Sequence, residues 1–267
     1  MKYKKLTFTL AECATHVDKS KNPRKLAFTL AEVLIVIAIV GAVFVMVMAN
    51  FIQKQQERVT VTKVQKAYNI LNQAYLQAVE EYGVPSNWGI PLVSSVTNSS
   101  LARDILFKNL KVLAKCSNTT SHKNCGISST YKRLYTKHGI SDFKTEKASS
   151  VLISDGLSFE VFVNEARNSN RGNTPALEKT LGFVNVDING YKKPNRLGYD
   201  YFLFYITDYG IIPIGTVEEL KSKPDNVHIK CSSQDSYGRG CAAWVLKQKN
   251  MNYLHSTKCS FTNPSCK

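Results

Sequence analysis

One stretch near the N-terminus, Phe28 to Ile52 (FTLAEVLIVIAIVGAVFVMVMANFI), limits what this chain can become more than any other. The run from Val33 to Ala49 carries no charged residue. As a helix rising about 1.5 Å per residue it reaches about 25 Å, and Phe51 and Ile52 extend it to a membrane-spanning length. One carboxylate, Glu32, stands close to its start. A carboxylate in hydrocarbon costs about 2.5 to 3.5 kcal/mol on insertion scales, so it calls for a named partner, and a cation from another copy is the obvious one. Seven Lys or Arg precede Phe28 against Glu12 and Asp18. Basic residues beside an apolar helix stay on the cytoplasmic side, which sends the rest of the chain across.

The block Lys25-Leu26-Ala27 followed by Phe28-Thr29-Leu30-Ala31-Glu32 and an aliphatic helix resembles the N-terminal cleavage and methylation segment of type IV pilins and type II secretion pseudopilins. The resemblance implies that a prepilin peptidase cuts between Ala27 and Phe28 and methylates the new amine of Phe28. It also implies that Glu32 neutralises the terminal amine of a neighbouring subunit in a helical filament. Gly41 falls where the family usually has glycine. Two positions depart from the pattern: Ala27 replaces the usual glycine before the cut, and Ala49 stands where a helix-kinking proline is usual. An ordinary signal peptide or anchor shares the basic flank and apolar core, and Val47-Met48-Ala49 offers its small-residue pattern, but nothing in ordinary secretion calls for Glu32.

The remaining implications are a bacterial inner-membrane protein with one span, N-terminus inside and head outside. Its partners would be the peptidase, other pilin or pseudopilin subunits, an inner-membrane assembly platform and, before assembly, lipid. The expected fold is α+β and pilin-like, a long N-terminal helix packed on an antiparallel sheet with a disulfide-rich C-terminal region. Its parts are a leader, 1–27; a membrane or filament-core helix, 28–52; an amphipathic helix, 53–82; and a head, 83–267. The head divides into a variable loop, 83–150, a sheet region, 151–230, and a Cys-rich tail, 231–267. Phe8 to Glu12 repeats FTLAE upstream, but Cys13 to Asp18 behind it cannot enter a bilayer, so it reads as a non-functional copy.

The chain of 267 residues is 43% hydrophobic and 21% charged, a globular composition with room for one moderate domain beyond the helix. Of the net charge of +15, the leader holds +5 (seven basic, two acidic residues), so +10 stays with the rest. Such a charge attracts nucleic acid or anionic envelope polymers by its long-range field, and a solvated basic surface accounts for it as well.

Beyond Gln53, Val64, Ala67, Tyr68, Leu71, Ala74, Tyr75, Ala78, Val79 and Tyr82 recur at steps of three and four, one stripe on a helix that Gly83 and Pro85 stop. The opposite face is polar, so the helix lies against a sheet with one side wet. Residues 83–150 predict a short helix at Leu101 to Lys115 among polar connectors. His122 and His138 read as exposed. Val151 to Ile153, a turn at Ser154-Asp155-Gly156 and Leu157 to Val163 read as a hairpin, with Leu157, Phe159, Val161 and Val163 on one face. Gly182 to Val186 and Tyr201 to Thr207 add two strands.

The segment from Asp187 to Asp200 resembles loops of pseudopilin heads in which oxygens hold calcium. Asp187, Asn189, Asn195 and Asp200 with backbone carbonyls could supply the six to eight oxygens that calcium takes. Lys192, Lys193 and Arg196 crowd the same loop, and a metal-free Asx turn explains the same letters, so both readings stand. Without Cys13 the cysteines number six: Cys116, Cys125, Cys231, Cys241, Cys259 and Cys266. An even count in a translocated domain implies disulfides, with fifteen possible connectivities. Short-range pairs, 116 with 125, 231 with 241 and 259 with 266, are expected, tying down an exposed tail. No Walker loop, G-x-S-x-G, HExxH or dinucleotide fingerprint occurs, so an enzyme is not expected. The functional expectation is a filament subunit; the alternatives are a minor tip pilin binding DNA, a surface or cargo, and a conventionally secreted or anchored protein.

Overall fold

The computed structural model describes residues 29–117, 122–135, 143–144, 147–164, 172–231 and 237–267. Ala27, Phe28, the upstream FTLAE copy, His138 and the side chain of His122 lie outside the described residues. The chain divides into two units, Met1–Asn50 and Phe51–Lys267. Helix α1 (Leu30–Tyr82) contributes residues to both.

In the first unit the described side chains of α1 are all exposed, Leu30 at 78% and Phe44 at 58% among them. Aliphatic side chains on every face of a helix leave no polar side to turn to water, so this stretch needs lipid or other helices around it.

The second unit is built on a six-stranded antiparallel sheet. Its strands are β1 (Val112–Cys116), β4 (Ser149–Ile153), β5 (Ser158–Val163), β6 (Thr180–Asp187), β7 (Tyr201–Thr207) and β8 (Gly210–Pro213), in the order β1-β4-β5-β6-β7-β8. A separate ribbon pairs β2 (Thr130–Tyr131) with β3 (Phe143–Lys144). Every residue of β7 is buried because both sheet faces are covered. Phe202, Phe204 and Ile206 join the larger core with α1, while Tyr201, Leu203 and Tyr205 line a second cluster with Ile127, Leu177 and Ile214.

The α1 stripe packs as its spacing requires. Val61, Val64, Ala67, Leu71, Ala74, Tyr75 and Ala78 are buried; Tyr82, expected in the stripe, is exposed instead, as the last residue of the helix. The small alanines let the helix come close to the strands. Tyr75 donates its hydroxyl to the Asp208 carbonyl at 2.9 Å, Tyr68 donates to the Ile211 carbonyl at 3.2 Å, and the Tyr68 ring stacks on Phe204. Gly83, at φ +76°, ends the helix with its N–H on the Val79 carbonyl.

Two expectations are corrected. The helix placed at Leu101 to Lys115 is α2 (Val96–Leu106), started by the Ser95 hydroxyl accepting from the Asn98 N–H, and 112–116 is the edge strand β1. Pairing with β4 overrides the helix-compatible letters there, as tertiary context does for strands. The last third is not an exposed tail: Cys231, Cys241 and Cys259 are buried, and α4 (Cys241–Gln248) puts Trp244 and Val245 into the core. Helix α3 (Val217–Ser222) precedes it. Gly240 has no alternative, because a Cβ there would stand 1.9 Å from the Ile229 carbonyl oxygen.

Candidate functional site

The start of α1 is a capping box. Thr29 donates its backbone N–H to Glu32 Oε2 at 2.8 Å and its hydroxyl to the same oxygen at 3.0 Å, while the Glu32 N–H donates to Thr29 Oγ1 at 3.2 Å. Reciprocal bonds of this kind satisfy donors that a helix start leaves orphaned. Sequence reasoning singled out Glu32 but not Thr29, although the T-x-x-E spacing that announces the box was in plain view. Among the described residues no donor reaches Oε1, so one carboxylate oxygen stays open to an incoming cation.

The loop between β6 and β7 brings together all four residues singled out for calcium. Asp187 Oδ1 accepts from the Asn189 N–H at 3.0 Å, closing an Asx turn, and Asp187 Oδ2 accepts from the Tyr131 hydroxyl at 2.7 Å. Asp200 Oδ2 accepts from Asn195 N–H at 2.8 Å and from Asn189 Nδ2 at 3.3 Å; Asp200 Oδ1 accepts from the Arg196 N–H at 2.6 Å. Burial pushes both carboxyls above the usual range, Asp187 well above it with the Asp200 charge adding to the effect. All four carboxylate oxygens thus hold protein donors. The side-chain oxygens of Asn189 and Asn195 are buried and accept no hydrogen bond. Among the described residues no group of three or more His, Cys, Asp or Glu stands where it could hold a metal ion. The donor set therefore fits a turn closed by its own hydrogen bonds better than a cage of six to eight free oxygens.

A third buried carboxylate reinforces this end of the sheet. Glu160 on β5 accepts from the Tyr201 hydroxyl, and the Tyr201 ring stacks on Tyr131 with centroids 3.8 Å apart. The loop's lysines do not join the network: Lys192 and Lys193 are exposed, beside Tyr191, which is also exposed and carries Lys123 Nζ 5.2 Å from its ring centre.

The cysteines are joined as Cys116–Cys125, Cys231–Cys241 and Cys259–Cys266, closing short segments of the head. The first ties the sheet edge to the turn ahead of β2. The other two flank α4 and the segment that follows it. His255 pairs its ring with Glu57 at 2.8 Å rather than with any cysteine.

Residues 22–48 match the family model described as the prokaryotic N-terminal methylation motif, about a tenth of the chain. No curated protein and no solved structure matches the chain. The matched segment contains the Thr29 and Glu32 box and most of the uncovered apolar half of α1.

Proposed function

We propose that this chain is a structural subunit of pilin or pseudopilin type, cut between Ala27 and Phe28, methylated on Phe28 and assembled through the first half of α1 into a helical filament. The observation that carries this reading is a methylation motif leading directly into a helix whose apolar side chains stand exposed, uncovered by the other described residues. Such a helix satisfies its own backbone bonds, so it is stable alone in lipid, and its aliphatic surface packs equally well against copies once lipid is gone.

Glu32 then has two successive partners. Before assembly Thr29 holds it in the capping box, which lowers the cost of a carboxylate at the membrane. After cleavage the free amine of a neighbouring subunit reaches the open Oε1. A buried charge is costly unpaired and tolerable paired, so Glu32 sets the register between subunits more than it adds net stability. Glu32→Ala should leave membrane insertion intact and abolish incorporation into filaments, read by fractionating membranes and sheared filaments. Normal incorporation of the variant would contradict the proposal.

The filament of a type IV pilus and that of a type II secretion system use the same parts, and either fits. In both, the assembly platform and prepilin peptidase are the expected partners. A role at the filament tip, with the head contacting a surface, cargo or nucleic acid, is favoured by the exposed Tyr191 between basic side chains. The copy number of the subunit in purified filaments separates shaft from tip.

A further inference from the structure

We propose that the head binds a phosphate-type oxyanion between the segment after β2 and the turn before α4, with Arg133 and His228 as its donors. The proposal goes beyond the filament reading and does not depend on it.

Three chain segments bring basic groups to one tyrosine ring. Arg133, just behind β2, places its guanidinium carbon 3.9 Å from the centre of the Tyr237 ring, and Arg239 places its own 6.0 Å from the same centre. The His228 ring, from the connection between α3 and α4, meets Tyr237 edge-on with centres 4.5 Å apart. The backbone fixes these neighbours. The Leu134 N–H donates to the Tyr237 carbonyl at 3.2 Å, and the Cys231–Cys241 bond closes the segment that carries Tyr237 and Arg239. Gly238 is packed so closely that a Cβ there would stand 2.6 Å from the Leu197 carbonyl oxygen. A site held this way is formed before an ion arrives, so little binding energy goes into ordering it.

Two donors define the ligand. Nη1 of Arg133 and Nδ1 of His228 are buried and make no hydrogen bond. Among the described residues no carboxylate pairs with Arg133. The face of the Tyr237 ring attracts that guanidinium but leaves the N–H groups of its fork unused. Nδ1 of His228 donates either in the neutral Nδ1–H tautomer or in the imidazolium. Buried polar groups are ordinarily paired, so two such donors gathered at one ring point to an acceptor from outside the chain. Arg239 is already engaged, and it adds charge rather than a donor. Electrostatics run the same way: burial, Arg239 and Arg133 lower His228 to about 4. Surroundings that drive a proton off an imidazole favour an anion and repel a cation. Phosphate can give two oxygens to the Arg133 fork and keep others for His228, whereas a carboxylate held by the same fork has both of its oxygens engaged.

The test uses the full-length chain in a phosphate-free, non-ionic detergent, titrated calorimetrically with inorganic phosphate, glycerol 3-phosphate and acetate at an ionic strength held constant with sodium chloride. Phosphate should bind saturably at pH 7, and acetate at least tenfold more weakly. Binding should also raise the His228 pKa by at least one unit, followed by NMR of the imidazole, because an anion favours the protonated ring. Arg133→Gln should weaken phosphate binding tenfold or more, the loss expected for a charge-assisted contact. Arg133→Lys, which keeps the charge and removes the fork, should weaken it as well. Lys111→Gln, at an exposed position beside β1, should leave it unchanged. Phosphate should raise the melting temperature of the parent and not that of Arg133→Gln, which separates lost binding from lost fold. Glycerol 3-phosphate binding as tightly as phosphate identifies the phosphate end of a larger molecule as the ligand; an inert ester identifies the free ion. No saturable heat with phosphate, an unmoved His228, equal affinity for acetate, or equal losses in Arg133→Gln and Lys111→Gln would overturn the proposal.

Discussion

The two halves of α1 differ in one respect that explains the rest of the molecule. From Val61 to Ala78 the helix buries a stripe against a sheet of its own chain, whereas from Leu30 to Met48 its apolar side chains are exposed, with no covering among the described residues. The outer half shows period; the first half shows only apolarity. A periodic stripe encodes a partner inside the chain, and uninterrupted apolarity encodes one outside it.

The largest expected effect lies in the buried half. Leu71→Ala removes a fully buried side chain and should cost the head about 2 to 5 kcal/mol, seen as a lower denaturant midpoint. Ile37→Ala, the same kind of truncation at an exposed position of the first half, should leave that midpoint unchanged. Equal losses in the two variants would erase the contrast between the halves.

The disulfides belong to the head alone and sharpen the same contrast. Serine at Cys116 and Cys125 opens a link spanning nine residues, which should cost about 2.5 kcal/mol in the chain-entropy model, measured by urea unfolding of the full chain. Membrane extraction of that variant should match the parent.

A smaller effect concerns pH. Burial raises the Glu219 carboxyl above its usual range, so the folded state keeps that proton to higher pH than the unfolded chain. Its contribution to stability is full below the ordinary carboxylate range and is lost as pH rises through the raised folded value. His228 works in the opposite sense: burial, with Arg239 and Arg133 nearby, lowers it to about 4, so its contribution is present above pH about 6.5 and lost as pH falls through that value. Comparing Glu219→Gln with the parent cancels the histidine. The stability advantage of the parent should be larger near pH 5 than near pH 8, and a difference independent of pH would contradict the assignment.

The smallest effect is expected of calcium. Because protein donors already occupy the carboxylate oxygens of Asp187 and Asp200, millimolar calcium or chelator should move the melting temperature of the head hardly at all. A rise of several degrees with calcium would instead place an ion against the side-chain oxygens of Asn189 and Asn195.

Much of this was legible in the letters because local chemistry enforces it. The helical stripe, the turn at Gly156 and the strand Tyr201 to Thr207 follow from spacing, and the three short cysteine pairs are the expected ones among fifteen connectivities that the letters alone leave open. What escaped depended on pairing and packing partners rather than on the letters of the segment itself. Strand β1 exists because β4 offers an edge, and β8 because β7 does, four residues too short to announce themselves. Helix α4 was hidden inside a cysteine framework that read as loop, since Cys241 and Trp244 gain their place only from the core they enter. At the functional end, Glu32 was visible as a misplaced charge. Its bond to Thr29 needed geometry.

The most direct measurement is the mass of the N-terminal peptide from protein recovered from membranes or filaments. A chain beginning at a methylated Phe28 is the predicted result, the form in which Glu32 meets a free amine in its neighbour. A chain still carrying residues 1–27, or one beginning at Asn50 without the apolar helix, would contradict it.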